Sequence, residues 1–288
     1  VTAHRRKPAK RRRALTVALL AAVVAIAVIA TLALQSTPSA KSSCKTLNVP
    51  AYFYSSAEWA AAYQSKPAPG TMILDISGLG AGTSPNSHFA SIVKKAQQAG
   101  VTILGYSSTE DGQRPVAEVE ADIRNYKAWY GVTGVFLDLV SGQPEQISYY
   151  RELASYVHQV SPGAPLWLNP GNYPADQGYM SIGSVVMVFE GTYVQYSGLH
   201  LPGWASRYPA ARFADTVYAA SQSELSSALA LASKRHTGHV YVTDGSGSNP
   251  YSSLPSYWAS EVSTVSAACQ AAAQAAPGQP VSMPDPPQ

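Results

Sequence analysis

The chain holds 288 residues, 46% of them hydrophobic and 13% charged, with a formal net charge of +3 and two cysteines. That length can bury a sizeable core, and the composition excludes a mostly disordered chain. Two cysteines without a CxxC pair exclude both a small disulfide framework and a cysteine-based metal motif.

The charge is concentrated at one end. Residues 1–13 carry seven basic side chains (Arg5, Arg6, Lys7, Lys10, Arg11, Arg12, Arg13) and no acid, which leaves 13 basic against 17 acidic residues in the remainder. Residues 14–34 follow, 21 positions without a charge. About 20 apolar residues cross a bilayer core as a helix. The expectation is therefore a basic cytoplasmic segment (1–13), a transmembrane helix (14–34) and a linker (35–46), with the rest of the chain outside the cytoplasm as a single-pass protein of the cell membrane. A cleaved signal followed by secretion is the alternative, since Pro38-Ser39-Ala40 offers small residues for cleavage. The acidic balance after residue 13 removes nucleic acid as a natural partner. Export also predicts a disulfide between Cys44 and Cys269, with two unpaired thiols as the alternative.

From Leu47 onward, short apolar runs alternate with amphipathic stretches. The runs are 47–54, 71–77, 101–108, 132–140, 164–171, 184–193, 211–221 and 239–245. Each is rich in β-branched or aromatic residues and ends in polar or turn-forming ones, the pattern of buried parallel strands. Between them, residues 87–100, 116–131 and 145–160 have helical periodicity, and Gly100, Gly131 and Gly238 supply stop signals. Eight strands separated by helices predict a single α/β domain, a (β/α)₈ TIM barrel, over residues 47–270. A doubly wound sheet is the alternative. The stretch Gly78-Leu79-Gly80-Ala81-Gly82 lacks the spacing of a phosphate-binding turn and reads as a flexible loop. Residues 271–288 are expected to form a disordered tail, with five prolines from Pro277 onward.

In such barrels function sits at the C-terminal ends of the strands. The candidates there are Tyr52, Tyr54, Asp75, Tyr106, Glu110, Asp111, Asp138, Asn169, Glu190, Tyr193 and Asp244. Asp138 and Glu190 each terminate an apolar run, so partial desolvation should raise their pKa values and suit them to acid or base work. Two carboxylates facing across a barrel mouth can hydrolyse a glycosidic bond. An ion pair or a helix cap is the competing role for each. Tyrosine outnumbers phenylalanine 18 to 5, and rings with a polar edge suit sugars, although packing alone also accounts for any single tyrosine. His236 and His239 lack a nearby acid and there is no GxSxG elbow, so neither a metal site nor a serine hydrolase is expected, and no cofactor is required.

The segments Leu104-Gly105-Tyr106 with Thr109, Gly134-Val135-Phe136-Leu137-Asp138, Leu168-Asn169-Pro170-Gly171, Val188-Phe189-Glu190, Val242-Thr243-Asp244, Asn249-Pro250-Tyr251 and Leu254-Pro255-Ser256-Tyr257-Trp258 occur in this order. Together they resemble the spherulin-4 family. The resemblance implies a TIM barrel and, from a characterised branch, a glycoside hydrolase acting on N-acetylgalactosamine-containing exopolysaccharide such as galactosaminogalactan. It places the family's strand-4 aspartate on Asp138 and its strand-6 glutamate on Glu190. Where the characterised hydrolases carry an Asp-Glu doublet, this chain reads Asp138-Leu139, and its second strand ends in Asp75-Ile76-Ser77-Gly78 instead of an Asn-Pro-rich turn.

The combined expectation is a monomeric, outward-facing hydrolase of an amino-sugar polysaccharide. Asp138 serves as nucleophile or base and Glu190 as general acid, or the two roles are exchanged, with Tyr54, Asp75, Tyr106, Asn169, Tyr193 and Asp244 lining the cleft. A catalytically silent carbohydrate-binding barrel is the alternative, favoured by Leu139.

Overall fold

A computed structural model describes residues 44–274. The basic segment, the apolar run 14–34 and the prolines from Pro277 onward lie outside the described residues. No helix among the described residues is long and apolar enough to cross a membrane.

Eight parallel strands close into a barrel in chain order. They are β1 (Thr46–Pro50), β2 (Thr71–Leu74), β3 (Thr102–Ser108), β4 (Gly134–Asp138), β5 (Leu166–Leu168), β6 (Val185–Thr192), β7 (Phe213–Tyr218) and β8 (His239–Val242). Seven lie within the apolar runs, and β1 starts one residue before the first of them. Pairing of Thr46 with His239 and Leu47 with Val240 closes the ring.

The helices are α1 (Ser56–Tyr63), α2 (Ser87–Gln98), α3 (Val116–Tyr130), α4 (Ile147–Val160), α5 (Tyr193–Ser197), α6 (Leu225–Lys234) and α7 (Trp258–Gln274). Their ends follow local chemistry. Asn86 caps α2 through its side chain, and Gly131 ends α3 in the left-handed conformation at φ 65°. Thr192 and Gln195 form a reciprocal capping box on α5. The β5–β6 connection departs from the regular alternation, holding only a 3₁₀ turn at Gln177–Ser181. Pro170, Gly171, Pro174, Gly178 and Gly183 interrupt any helix there. Helix α7 runs to Gln274, three residues past the start expected for the tail.

The barrel interior holds Ile73, Leu104, Tyr106, Phe136, Trp167, Val185, Met187 and Ala214 as one buried cluster. Alternate residues, among them Val135, Leu137, Leu166 and Leu168, pack outward with α4 residues such as Leu153 and Val157. Strand periodicity then decides what lies above the interior layer. Two residues beyond Ile73, Leu104, Phe136 and Trp167 stand Asp75, Tyr106, Asp138 and Asn169, all on the inward face.

The glycine-rich stretch after β2 is a pinned loop, not a flexible one. Ala81 is fully buried and its N–H donates to Asp122 Oδ1 at 2.9 Å. A Cβ on Gly80 would lie 2.0 Å from the other Asp122 carboxylate oxygen, so only glycine fits there. The buried Arg114 guanidinium completes the anchor, donating to Leu79 O at 2.9 Å and pairing with Asp122 at 2.8 Å.

A disulfide joins Cys44 to Cys269 across 225 positions, as export predicts, and ties the entry of β1 to α7.

Candidate active site

Above the interior layer the strand ends and following loops enclose a cavity of about 530 Å³. Its walls include Tyr52, Asp75, Tyr106, Asp111, Asp138, Asn169, Glu190, Tyr218 and Tyr251, and none of its lining residues among the described part is basic. The volume falls within the range of small-molecule sites.

Asn169 sits at the centre of this arrangement. Its side-chain nitrogen donates to Asp138 Oδ1 at 2.6 Å and to Glu190 Oε2 at 2.5 Å. Its own oxygen accepts from Gly171 N at 2.9 Å, which fixes which end of the amide faces the acids. Each carboxylate has one further partner. Tyr106 donates its hydroxyl to Asp138 Oδ2 at 2.8 Å, and the buried Tyr251 donates to Glu190 Oε1 at 2.8 Å. Both acids are thus held at two oxygens each.

Burial and the Glu190 charge push the Asp138 carboxyl up to about 6, against the opposing bonds from Tyr106 and Asn169. Burial also raises Asp75, although the backbone N–H groups of Ser77 and Gly78 donate to its Oδ1 at 3.1 and 2.7 Å. Tyr106 and Tyr251 are raised by burial and by the carboxylates they bond, so both remain neutral donors at physiological pH. Tyr52 packs edge-on against Tyr106 and Tyr251, with centroids 5.6 Å away in each case.

Glu190 reaches this site through an irregularity in β6. Val185 and Met187 point into the barrel, so strict alternation would send Phe189 inward and Glu190 outward. The β6–β7 register shifts between Met187 and Phe189, the mark of a β-bulge. Phe189 then packs outside the barrel, its ring 4.7 Å from that of Tyr196, and Glu190 turns into the cavity.

The end of β4 is shaped by backbone strain. Leu139 adopts φ 48°, a left-handed conformation uncommon for a branched side chain, and its half-exposed side chain lines the cavity. Its carbonyl accepts from Asp111 N at 2.8 Å and lies 2.8 Å from Thr109 Oγ1.

Five of the expected site residues therefore come together: Asp75, Tyr106, Asp138, Asn169 and Glu190. Three do not line the cavity. Tyr54 lies in the loop beyond β1, exposed and stacked on His88. Tyr193 opens α5 and packs at the edge of the core, because β6 continues past Glu190 to Thr192 and carries it out of reach. Asp244 spends its carboxylate on the turn before α7, accepting from the backbone and hydroxyl of Ser256. In their place stand Tyr218 at the end of β7, and Asn249 and Tyr251 on the loop after β8. Tyr218 falls two residues beyond the inward Thr216, a parity readable in principle. The loop residues are placed by a fold-back in which Gly245 meets the Pro250 backbone so closely that a Cβ would lie 1.9 Å from its carbonyl oxygen. Among the described residues, no group of three or more His, Cys, Asp or Glu side chains is arranged to hold a metal ion.

Residues 46–265 match the model of the family described as Spherulation-specific family 4. The chain belongs to the spherulin-4 family. Spherulin-4 of Physarum polycephalum is 32% identical over 235 residues, which cover 77% of this chain and 70% of that protein. The crystal structure of Aspergillus clavatus Sph3 in complex with GalNAc superimposes with a TM-score of 0.68 at 22% identity, covering 78% of this chain and 98% of that one. The spherulin-4 match runs from the first residue of β1 into α7, and so takes in the whole barrel and every cavity residue named above.

Proposed function

We propose that this spherulin-4 protein is a glycoside hydrolase acting on an amino-sugar polysaccharide that contains N-acetylgalactosamine or galactosamine. The observation that carries the proposal is the sharing of one Asn169 nitrogen by Asp138 and Glu190. Two oxygens bonded to the same nitrogen at 2.6 and 2.5 Å are no more than about 5 Å apart, the close spacing used by retaining glycosidases. The presence of GalNAc in the Sph3 structure supports the choice of sugar.

In this reading Asp138, the acid raised by burial, protonates the glycosidic oxygen as the bond to the leaving sugar breaks. Glu190 attacks the anomeric carbon and forms a glycosyl ester. Water, deprotonated by the Asp138 carboxylate, then displaces Glu190 and releases the sugar. This is the reverse of the role assignment written first from the sequence. The upward shift of Asp138 favours the change, since a general acid must hold its proton near the working pH. Asp75 and the hydroxyls of Tyr52 and Tyr218 bind the sugar. We further propose that the barrel works outside the cytoplasm, held to the membrane by residues 14–34 or secreted, and the Cys44–Cys269 bridge supports an oxidising compartment.

A second reading, a silent carbohydrate-binding barrel, is favoured by Leu139, which places an apolar side chain where characterised relatives carry a second acid. The test is to incubate the purified wild-type chain and its Asp138→Asn variant with galactosamine-containing exopolysaccharide and count new reducing ends. Release by the wild type alone supports the hydrolase, whereas binding by both without release supports the second reading.

A further inference from the structure

Outside the cavity, the barrel mouth carries one aromatic ring left open to solvent. Tyr54 is 62% exposed and is the only aromatic among the exposed large hydrophobic residues of the described part. It lies two residues beyond Tyr52, whose side chain forms part of the cavity wall.

This ring is held in place, unlike an ordinary surface tyrosine. The His88 imidazole stacks on one face with centroids 3.9 Å apart and planes 10° from parallel. Phe89 meets the ring edge-on at 5.4 Å. His88 Nε2 lies 2.7 Å from the Tyr54 carbonyl oxygen, which joins the two residues a second time. The Asn86 cap of α2 accepts the His88 N–H at 3.0 Å and fixes the base of the stack. One face of Tyr54 is thus covered and supported, and the opposite face stays bare.

A bare, preordered aromatic face loses little side-chain freedom when a ligand settles on it. Its apolar surface and polar hydroxyl edge match a pyranose, which has an apolar face and a hydroxylated rim. Nothing in the cavity needs this ring, because the two carboxylates are already bonded by Tyr106, Asn169 and Tyr251.

We propose that Tyr54 is the platform of a second sugar subsite beside the cleft, taking a neighbouring residue of the same polysaccharide. His88 and Phe89 are its positioning residues. The proposal rests on the polysaccharide reading above for the identity of the ligand, and it makes the protein a reader of chains more than of single sugars.

The test compares the affinity of the full chain for a galactosamine-rich polymer with its affinity for the monosaccharide N-acetylgalactosamine, measured by calorimetry. In Tyr54→Ala, polymer affinity is expected to fall about three- to tenfold relative to monosaccharide affinity, as loss of one aromatic face predicts. Tyr54→Phe, which keeps the face, restores the wild-type ratio, and His88→Ala gives an intermediate loss at an unchanged melting temperature. An unchanged ratio in Tyr54→Ala overturns the platform, as does an equal loss for both ligands, which would mean that Tyr54 shapes the cavity itself. Polymer bound in a Tyr54-dependent way but never cut would sink the hydrolase reading and leave the platform standing. Failure of the wild type to bind the polymer overturns both.

Discussion

The side chains of Asp138 and Glu190 are bridged by a single donor, the Asn169 amide nitrogen. Two acids from strands that are not neighbours, β4 and β6, are thereby held to a common atom supplied by the end of β5, the strand between them. Asn169→Ala removes a hydrogen bond that favours the charged form of Asp138, so the Asp138 pKa should rise further. The same change loosens both acids, and a loss of about 10²-fold in polymer hydrolysis is expected. A pH–rate profile of the variant beside wild type measures both effects.

The Asp138 carboxyl stands at about 6 partly because of the charge on Glu190. Glu190→Gln removes that charge, and the Asp138 pKa should fall, read directly by carbon-detected NMR titration of the carboxyl. With Asp138 as the acid, wild-type turnover should decline as pH rises through about 6. A decline on the acidic side alone would return the acid role to Glu190.

Glu261 is fully buried on α7, and its Oε1 accepts from Val242 N at 2.8 Å, while burial raises its pKa well above the usual carboxylate range. Its other oxygen has no hydrogen-bond partner among the described residues. An acid whose pKa is raised on folding releases its proton first in the unfolded chain. Its burial is therefore tolerated at low pH and costs stability as pH rises from the unfolded value of about 4.3. Glu261→Gln keeps the acceptor and cannot ionise. Its melting temperature should match wild type near pH 4 and exceed it at pH 7–8.

Arg114 and Asp122 pair at 2.8 Å, both nearly buried. Arg114→Ala strands the Asp122 charge beneath the Gly80 loop and should destabilise the domain by about 3–5 kcal/mol in denaturant unfolding. Adding Asp122→Asn should recover part of that loss. The loop borders the Asp75 turn, so protease cleavage within residues 78–82 should appear in the single variant first.

Cys269→Ser opens the 225-position loop and should cost about 2–5 kcal/mol of stability. The expected signature is a lowered melting temperature with polymer hydrolysis intact below it, because the bridge and the cavity draw on different residues.

The strands and most of the acid site were legible because two simple periods govern them. Alternation from Ile73, Phe136 and Trp167 puts Asp75, Asp138 and Asn169 inside without any tertiary information. Glu190 was reached by its place after an apolar run, although the alternation of β6 by itself points it the wrong way. No residue type in Val188-Phe189 announces the bulge that corrects it, since the bulge depends on the register with β7. Tyr193 closes the apolar run 184–193 and so reads as a strand-end residue, but the strand stops at Thr192, which caps α5 and makes Tyr193 its first residue. Asp244 was misread because its partner, Ser256, lies 12 positions further along the chain. Tyr251 owes its contact with Glu190, 61 positions away, to the long loop after β8, whose path depends on the close approach of Gly245 to Pro250. The Gly80 loop looked flexible because the charge that pins it, Asp122, sits on α3.

The Cys44–Cys269 bridge, with Cα atoms 4.6 Å apart, makes the barrel a covalent ring with no privileged starting point. A permuted gene can therefore begin elsewhere, for instance at the exposed Leu201 between α5 and β7, with a short peptide in place of the cystine. Such a chain would keep every inward side chain of the mouth while no longer needing an oxidising environment to close. Its barrel could then be produced in a reducing cytoplasm without a cystine.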